Sequence, residues 1–138
     1  MNVRVILASI AGAIVSFLLG WLVYGMLLSG FYEANTNHFD GLMISPPNLI
    51  GIFLSGWVYS LLLAFIFSKW ANISSFVPGL IAAACISFLV MLSFDLSFWA
   101  MMNLFGKKLL IVDVLVGTAF YAFIGGVVAL VLGFKKEG

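Results

Sequence analysis

The sequence predicts an all-α integral membrane protein, a four-helix bundle formed by one domain over residues 1–138. Of the 138 residues, 64% are hydrophobic and only 8% are charged, whereas soluble domains carry about 25% charged residues. A soluble fold of this length cannot bury so much apolar surface. The apolar residues form four segments, at about 4–31, 49–70, 76–105 and 109–134, each long enough for a span of about 20 residues.

Each segment is expected to be a helix, because backbone polar groups inside lipid must bond within their own segment. The first is too long for the apolar part of a signal peptide, so we expect it to be retained as a span. Residues 32–48 form the long connection, in which Asn48 is suited to begin the second helix. Residues 71–75 and 106–108 read as tight polar turns.

Basic residues near the span ends predict the orientation. Four of them fall on the same side as the N-terminus: Arg4, Lys69, Lys135 and Lys136. Lys107 and Lys108 fall on the opposite side, together with the long connection. This excess predicts that both termini are cytoplasmic and that the loop 32–48 is outside.

A short pattern occurs in both of the first two spans. Residues 17–28 read FLLGWLVYGMLL and residues 53–63 read FLSGWVYSLLL, so that Gly-Trp and a following Tyr recur. At 1.5 Å rise per residue both Gly-Trp pairs lie roughly 10–15 Å below the outer surface. Acidic and aromatic residues of the third and fourth spans fall in the same layer: Asp95, Trp99, Asp113 and Tyr121.

Asp95, in LSFDLSFW, is the leading candidate for a functional residue. Intramembrane acids are costly, face the bundle interior or water, and are functional candidates by default. The alternative is a packing residue, protonated or hydrogen-bonded to Tyr or Trp donors. We expect a ligand site with Asp95 at its centre, walled by five aromatic residues: Trp21, Tyr24, Trp57, Tyr59 and Trp99. Such walls suit a cation or an amphipathic organic ligand.

Two further residues are secondary candidates, Asp113 and Tyr121. Asp113 has a structural alternative, because a carboxylate near a helix N-terminus favours the helix dipole and can face Lys107 or Lys108. No metal site or cofactor is expected, since Glu33, His38 and Asp40 match no strong metal-binding spacing.

Rows of small residues predict tight helix packing, because they let helix backbones approach closely in lipid. The rows are Gly12, Ser16 and Gly20; Gly56, Ser60, Ala64 and Ser68; and Gly117, Gly125, Gly126, Ala129 and Gly133. Besides the lipid bilayer, the expected partners are a second copy of the chain, as a homodimer or larger oligomer, or a membrane complex. The net charge of +1 gives no reason to expect nucleic acid.

Several stretches resemble a known family: GWLVYG, FYEANT, SFDLSFWAMMN and VDVLVGTAFYAFIGGVVALVLG. They are similar to the small four-span bacterial membrane proteins of the domain-of-unknown-function 1761 family. The resemblance implies a multi-pass protein of the bacterial inner membrane and no particular activity. Because no nucleophile–base pair is visible, we expect binding or passage of a small solute or proton. The alternatives are an accessory subunit of a larger complex and, less favoured, an enzyme acting on a lipid or quinone.

Overall fold

The structure, a computed structural model, describes residues 2–44 and 46–134. In this part of the chain there are five α-helices and no β-strand: α1 Val3–Leu22, α2 Ser29–Asn35, α3 Leu49–Ile66, α4 Phe76–Met101 and α5 Lys107–Phe134. One π-helical turn, Val23–Leu27, extends α1, and a second, Phe67–Ala71, extends α3. Four stretches are long and apolar enough to cross a membrane: Val3–Leu27, Leu49–Ala71, Phe76–Met101 and Lys107–Phe134. The predicted all-helical class is confirmed, as are four helices able to span a membrane.

Two helix ends differ from the ends of the predicted apolar segments, and both lie at the same end of the bundle. The first span was expected to reach residue 31, but the helix stops before Leu28, which has φ −112° and ψ 2°, and α2 starts anew at Ser29. The third was expected to reach residue 105, but α4 ends at Met101. The second span begins as expected, where the Asn48 side chain accepts a hydrogen bond from the Gly51 N–H at 3.0 Å.

The bundle has two distinct ends, which we name for their connections. The loop end carries residues 28–48, with α2, and the connection 102–106 between α4 and α5. The turn end carries the start of α1 and the turn 72–75, where Asn72 adopts a left-handed conformation with φ 52°. The tail 135–138, which contains two of the basic residues counted for the orientation, lies outside the described residues.

Helices α4 and α5 pack as an antiparallel pair with contacts every fourth residue. Gly79 lies against Ala129 and Gly125, and one turn further along Ala83 lies against Gly125. Two turns beyond that, the Met91 side chain fills the space where a side chain at Gly117 would stand. Since residues four apart share one helix face, this register continues toward the loop end.

Helices α1 and α3 form the second antiparallel pair, again through small residues. The Ser60 side chain packs against Gly12, and the Ser16 side chain packs against Gly56. Gly20 instead lies 3.5 Å, measured from the position of a Cβ, from the ring of Phe120 on α5. The predicted rows therefore make contacts within one chain, and association with a second copy stays a prediction.

The two pairs meet along α1 and α5, and their largest buried side chains form an apolar core on the turn-end side. The core includes Val5, Leu63, Phe67, Ile124 and Val128, each exposed by 1% or less. Helix α5 contacts α4, α1 and α3. Between α3 and α4, the Tyr59 and Ser87 hydroxyls share a hydrogen bond of 2.7 Å. Buried polar side chains therefore lie both beside the core, at Ser9 and Ser60, and nearer the loop end, at Asp95.

Candidate functional site

The two carboxyl groups of the membrane-spanning helices meet at the loop end. In the four-residue register of α4 and α5, Asp95 and Asp113 follow the Met91–Gly117 contact. The Asp95 side chain is only 8% exposed, and this register places it opposite Asp113 of α5. Asp95 lies six residues before Met101 and Asp113 six after Lys107, so each is about 9 Å from the end of its helix at 1.5 Å per residue. We call Asp95 and Asp113 the carboxyl pair.

A phenol from the loop end contacts the carboxyl pair. Tyr32, on the short helix α2, donates a hydrogen bond from Oη to Asp113 Oδ1 at 2.6 Å. Burial, and then the hydrogen bond to Asp113, raise the pKa of Tyr32 above its ordinary value. Its hydroxyl therefore remains a donor at physiological pH.

One oxygen of the pair has no donor at all. Asp95 Oδ2 is buried and makes no hydrogen bond, although buried carboxylate oxygens are normally satisfied. The group that faces it is another carboxyl, which donates only when it carries a proton. Because two neighbouring carboxylates repel each other, the geometry favours one positive charge, a proton or a small cation, held between Asp95 and Asp113.

The nearest basic side chains along the sequence make other contacts. The Lys107 Nζ lies 5.8 Å from the ring centre of Trp99, and the Lys108 Nζ lies 5.6 Å from that of Phe31. Distances of this kind correspond to cation–π contacts. The expectation that Asp113 faces one of these lysines is therefore not met, since its partner is the Tyr32 hydroxyl.

The segment that carries Tyr32 is tied to the connection between α4 and α5. The Asn37 N–H donates to the Leu104 carbonyl oxygen at 2.7 Å, and Asn37 Nδ2 donates to the Asn103 carbonyl oxygen at 2.8 Å. Thr36 and Phe105 form an isolated antiparallel bridge. We call residues 29–37 the strap, because these bonds hold them across the loop end, beside the carboxyl pair.

A second polar layer lies deeper, around two stacked tyrosines. The Tyr59 and Tyr121 ring centres are 4.2 Å apart. Both rings line a groove of about 580 Å³ whose other main walls are Leu54, Ser55, Val58 and Leu62. Tyr121 follows Asp113 by eight residues on α5, about 12 Å along the axis, so one helix carries a wall of the groove and a member of the carboxyl pair.

The two tryptophans of the Gly-Trp pattern do not reach Asp95, which corrects the expected walls. Trp21 is 67% exposed and its ring lies beside Gly25 of its own helix. Trp57 donates from Nε1 to the Ser9 hydroxyl of α1 at 2.9 Å, nearer the turn end. Consecutive residues are about 100° apart around a helix. Gly20 faces Phe120 of α5, so the next residue, Trp21, is turned away from that helix, whereas Trp57 still reaches α1, the helix that Gly56 contacts.

The other predicted wall residues divide into near and distant. The Tyr24 ring packs edge-on against Tyr32, with centres 5.6 Å apart, and so lies beside the phenol that contacts the carboxyl pair. The Tyr59 hydroxyl shares a hydrogen bond with Ser87 in the deeper layer. Trp99 is 39% exposed and lies under Lys107 at the surface.

The sequence alone did not indicate Tyr32, which was expected in the loop 32–48, and it favoured Asp95 over Asp113. A signal for Asp113 was present, because it lies four residues before Gly117 on the row of small residues. No comparable signal exists for Tyr32, whose position depends on contacts between the strap and a connection more than 60 residues away along the chain.

Comparisons with known proteins give no relative from which to transfer an activity. No protein-family model, no curated protein and no solved structure matches this chain. The resemblance to the domain-of-unknown-function 1761 family stays a prediction, and the geometry of the carboxyl pair carries the functional interpretation.

Proposed function

We propose that this chain is a multi-pass protein of the bacterial inner membrane, with both termini cytoplasmic, that reversibly binds a proton or small cation at the carboxyl pair. The observation that carries the proposal is the facing arrangement of Asp95 and Asp113, with Asp95 Oδ2 buried and without a donor. Acids within membrane-spanning helices are costly, and Asp95 and Asp113 both lie inside their helices, about 9 Å from the ends. Two acids that meet at one point are therefore best explained by a ligand that bears positive charge.

The same geometry favours binding from the loop end over passage through a single copy. On the turn-end side of the pair, the bundle is filled by apolar side chains, among them Leu63, Ile124 and Val128, each with 0% exposure. A proton or hydrated cation crossing that layer would leave its polar partners behind, which is costly in an apolar interior. Passage through the membrane would require a rearrangement of the helices or a second copy.

Proton uptake tests the proposal directly. Purified protein in lipid nanodiscs is taken from about pH 9 to about pH 5 in a weak buffer that contains a pH-sensitive dye. The final pH stays above about 4, where exposed carboxyl groups usually titrate. The wild type is expected to take up one proton more than Asp95→Asn or Asp113→Asn, because the two acids share a single proton. Glu33→Gln is the matched control, since it removes an exposed acid from the strap. Equal uptake by wild type and Asp95→Asn would refute the proposal.

Topology is tested separately. Reporter fusions after Lys136 and within residues 34–42 are expected to place the tail in the cytoplasm and the strap outside. The reverse pattern would leave the carboxyl pair intact but would move it to the cytoplasmic side, and the source of the bound ion would change with it.

A further inference from the structure

We propose that the groove between α3 and α5 and the carboxyl pair form one binding site for an apolar organic cation that enters sideways from the lipid. This inference rests on the proposed function, because the positive charge of the ligand would take the place of the proton or small cation at Asp95 and Asp113. It goes further by naming the chemical class of the ligand and its route of entry.

The charges around the site determine whether it attracts a cation or an anion. Asp95 is more than nine-tenths buried and its Oδ2 has no hydrogen-bond donor. The Tyr32 hydroxyl donates to Asp113 and the Tyr24 ring packs against Tyr32, and neither side chain carries a positive charge. Lys107 and Lys108 are held over aromatic rings. A cation is therefore attracted and an anion of the same shape is repelled.

The groove supplies the apolar part of the site. Its volume of about 580 Å³ lies within the range of about 300–1,000 Å³ that accommodates drug-sized ligands. Its walls are open to the side, since Val58 is 64%, Leu54 45% and Leu62 42% exposed. A ligand dissolved in the bilayer can thus enter without crossing the strap.

The tyrosine stack connects the two parts. Tyr121 lines the groove and lies two helical turns from Asp113 on the same face of α5, about 12 Å along the axis. The hydrogen bond between Tyr59 and Ser87 fixes the neighbouring ring. Aromatic faces attract cations by about 0.5–2 kcal/mol. An aromatic cation lying on this stack places its charge between the rings and the carboxyl pair.

Two ions of the same shape and opposite charge test the selectivity. Tetraphenylphosphonium, a cation, is expected to bind the wild-type protein in nanodiscs above its partition into empty nanodiscs, measured by equilibrium dialysis. Tetraphenylborate, an anion, is expected to show no such excess. Lowering the pH should release the cation, because protons compete for Asp95 and Asp113. Asp95→Asn should weaken binding by at least about tenfold. Equal binding of both ions, or unchanged cation binding in Asp95→Asn, would overturn the proposal.

Blocking the groove tests the route and the apolar part. Val58→Trp and Leu62→Trp fill the groove from its open side and are expected to reduce cation binding, while proton uptake stays at the wild-type level. The matched control is Leu115→Trp on α5, because Leu115 is exposed to a similar degree, 61% against 64% for Val58, and does not line the groove. Unreduced binding in both groove variants, or an equal reduction in Leu115→Trp, would refute the shared site.

The outcomes also separate this proposal from the one on which it rests. A wild-type protein that takes up the proton but does not bind tetraphenylphosphonium refutes the organic-cation site and leaves the proton site standing. A wild-type protein that does neither refutes both.

Discussion

The hydrogen bond from Tyr32 to Asp113 offers the sharpest test of how the strap is held. Tyr32→Phe removes one hydroxyl and keeps the ring, with its edge-on contacts to Tyr24 at 5.6 Å and to Phe31 at 6.1 Å. A hydrogen bond to a charged group contributes about 1.5–3 kcal/mol. Because Tyr32 is only half-buried, we expect the lower part of that range, about 1.5 kcal/mol, or roughly a tenfold change in the unfolding equilibrium.

The assay is unfolding in mixed micelles, followed by tryptophan fluorescence, for Tyr32→Phe, Asp113→Ala and the double variant. Both single variants should lower the free energy of unfolding, and the double variant should lower it by less than the sum, since both remove the same bond. Glu33→Gln, on the same short helix, should leave it unchanged. If the two single effects add to within about 0.5 kcal/mol, the hydrogen bond does not stabilise the fold and the reasoning fails.

Three further predictions concern packing, the buried acid and pH. Gly117→Leu should lower the thermal stability in detergent, because the new side chain collides with Met91 and overpacking costs about 1–3 kcal/mol. Gly30→Ala is the control, since Gly30 has open space around it. Equal melting temperatures of Gly117→Leu and the wild type would refute the close approach of Met91 to Gly117. Asp95→Leu should be neutral or stabilising but lose proton uptake, whereas a large destabilisation would make Asp95 a packing residue. The pKa of Tyr32 is raised above 10.0, so the unfolded chain loses the phenol proton at a lower pH than the folded chain does. The free energy of unfolding should therefore fall above about pH 10, and less steeply in Tyr32→Phe. Equal pH dependence of the two proteins would contradict this prediction.

Composition and segment length were sufficient to predict the four long helices, because these properties need no knowledge of neighbours. The same reasoning placed Asp95 and Asp113 at nearly the same depth, since depth follows from counting residues along a helix. It could not assign faces to Trp21 and Trp57. A face depends on which neighbouring helix each glycine contacts, and Gly20 and Gly56 contact different helices.

The ends of the first and third apolar segments differ from the observed helix ends for a related reason. Hydropathy continues past Leu28 and past Met101, yet both helices stop there. Beyond these points the backbone bonds across the loop end, through contacts such as that of Asn37 with Leu104. Bonds between segments so distant in sequence leave no periodic pattern that could be read in advance, and Tyr32 was missed with them.

The distance along the chain between the strap and its partners fixes an order of assembly. Tyr32 precedes Asp113 by 81 residues, and the chain is synthesised from its N-terminus. Helices α1 and α3 can close on one another while α4 and α5 are still to be made. The hydrogen-bonding groups of the strap therefore have no protein partners until α5 and the connection before it have been synthesised. The carboxyl pair is therefore the last part of the protein to form, and a chain shortened before α5 would have the pair α1 and α3 but would lack Asp113.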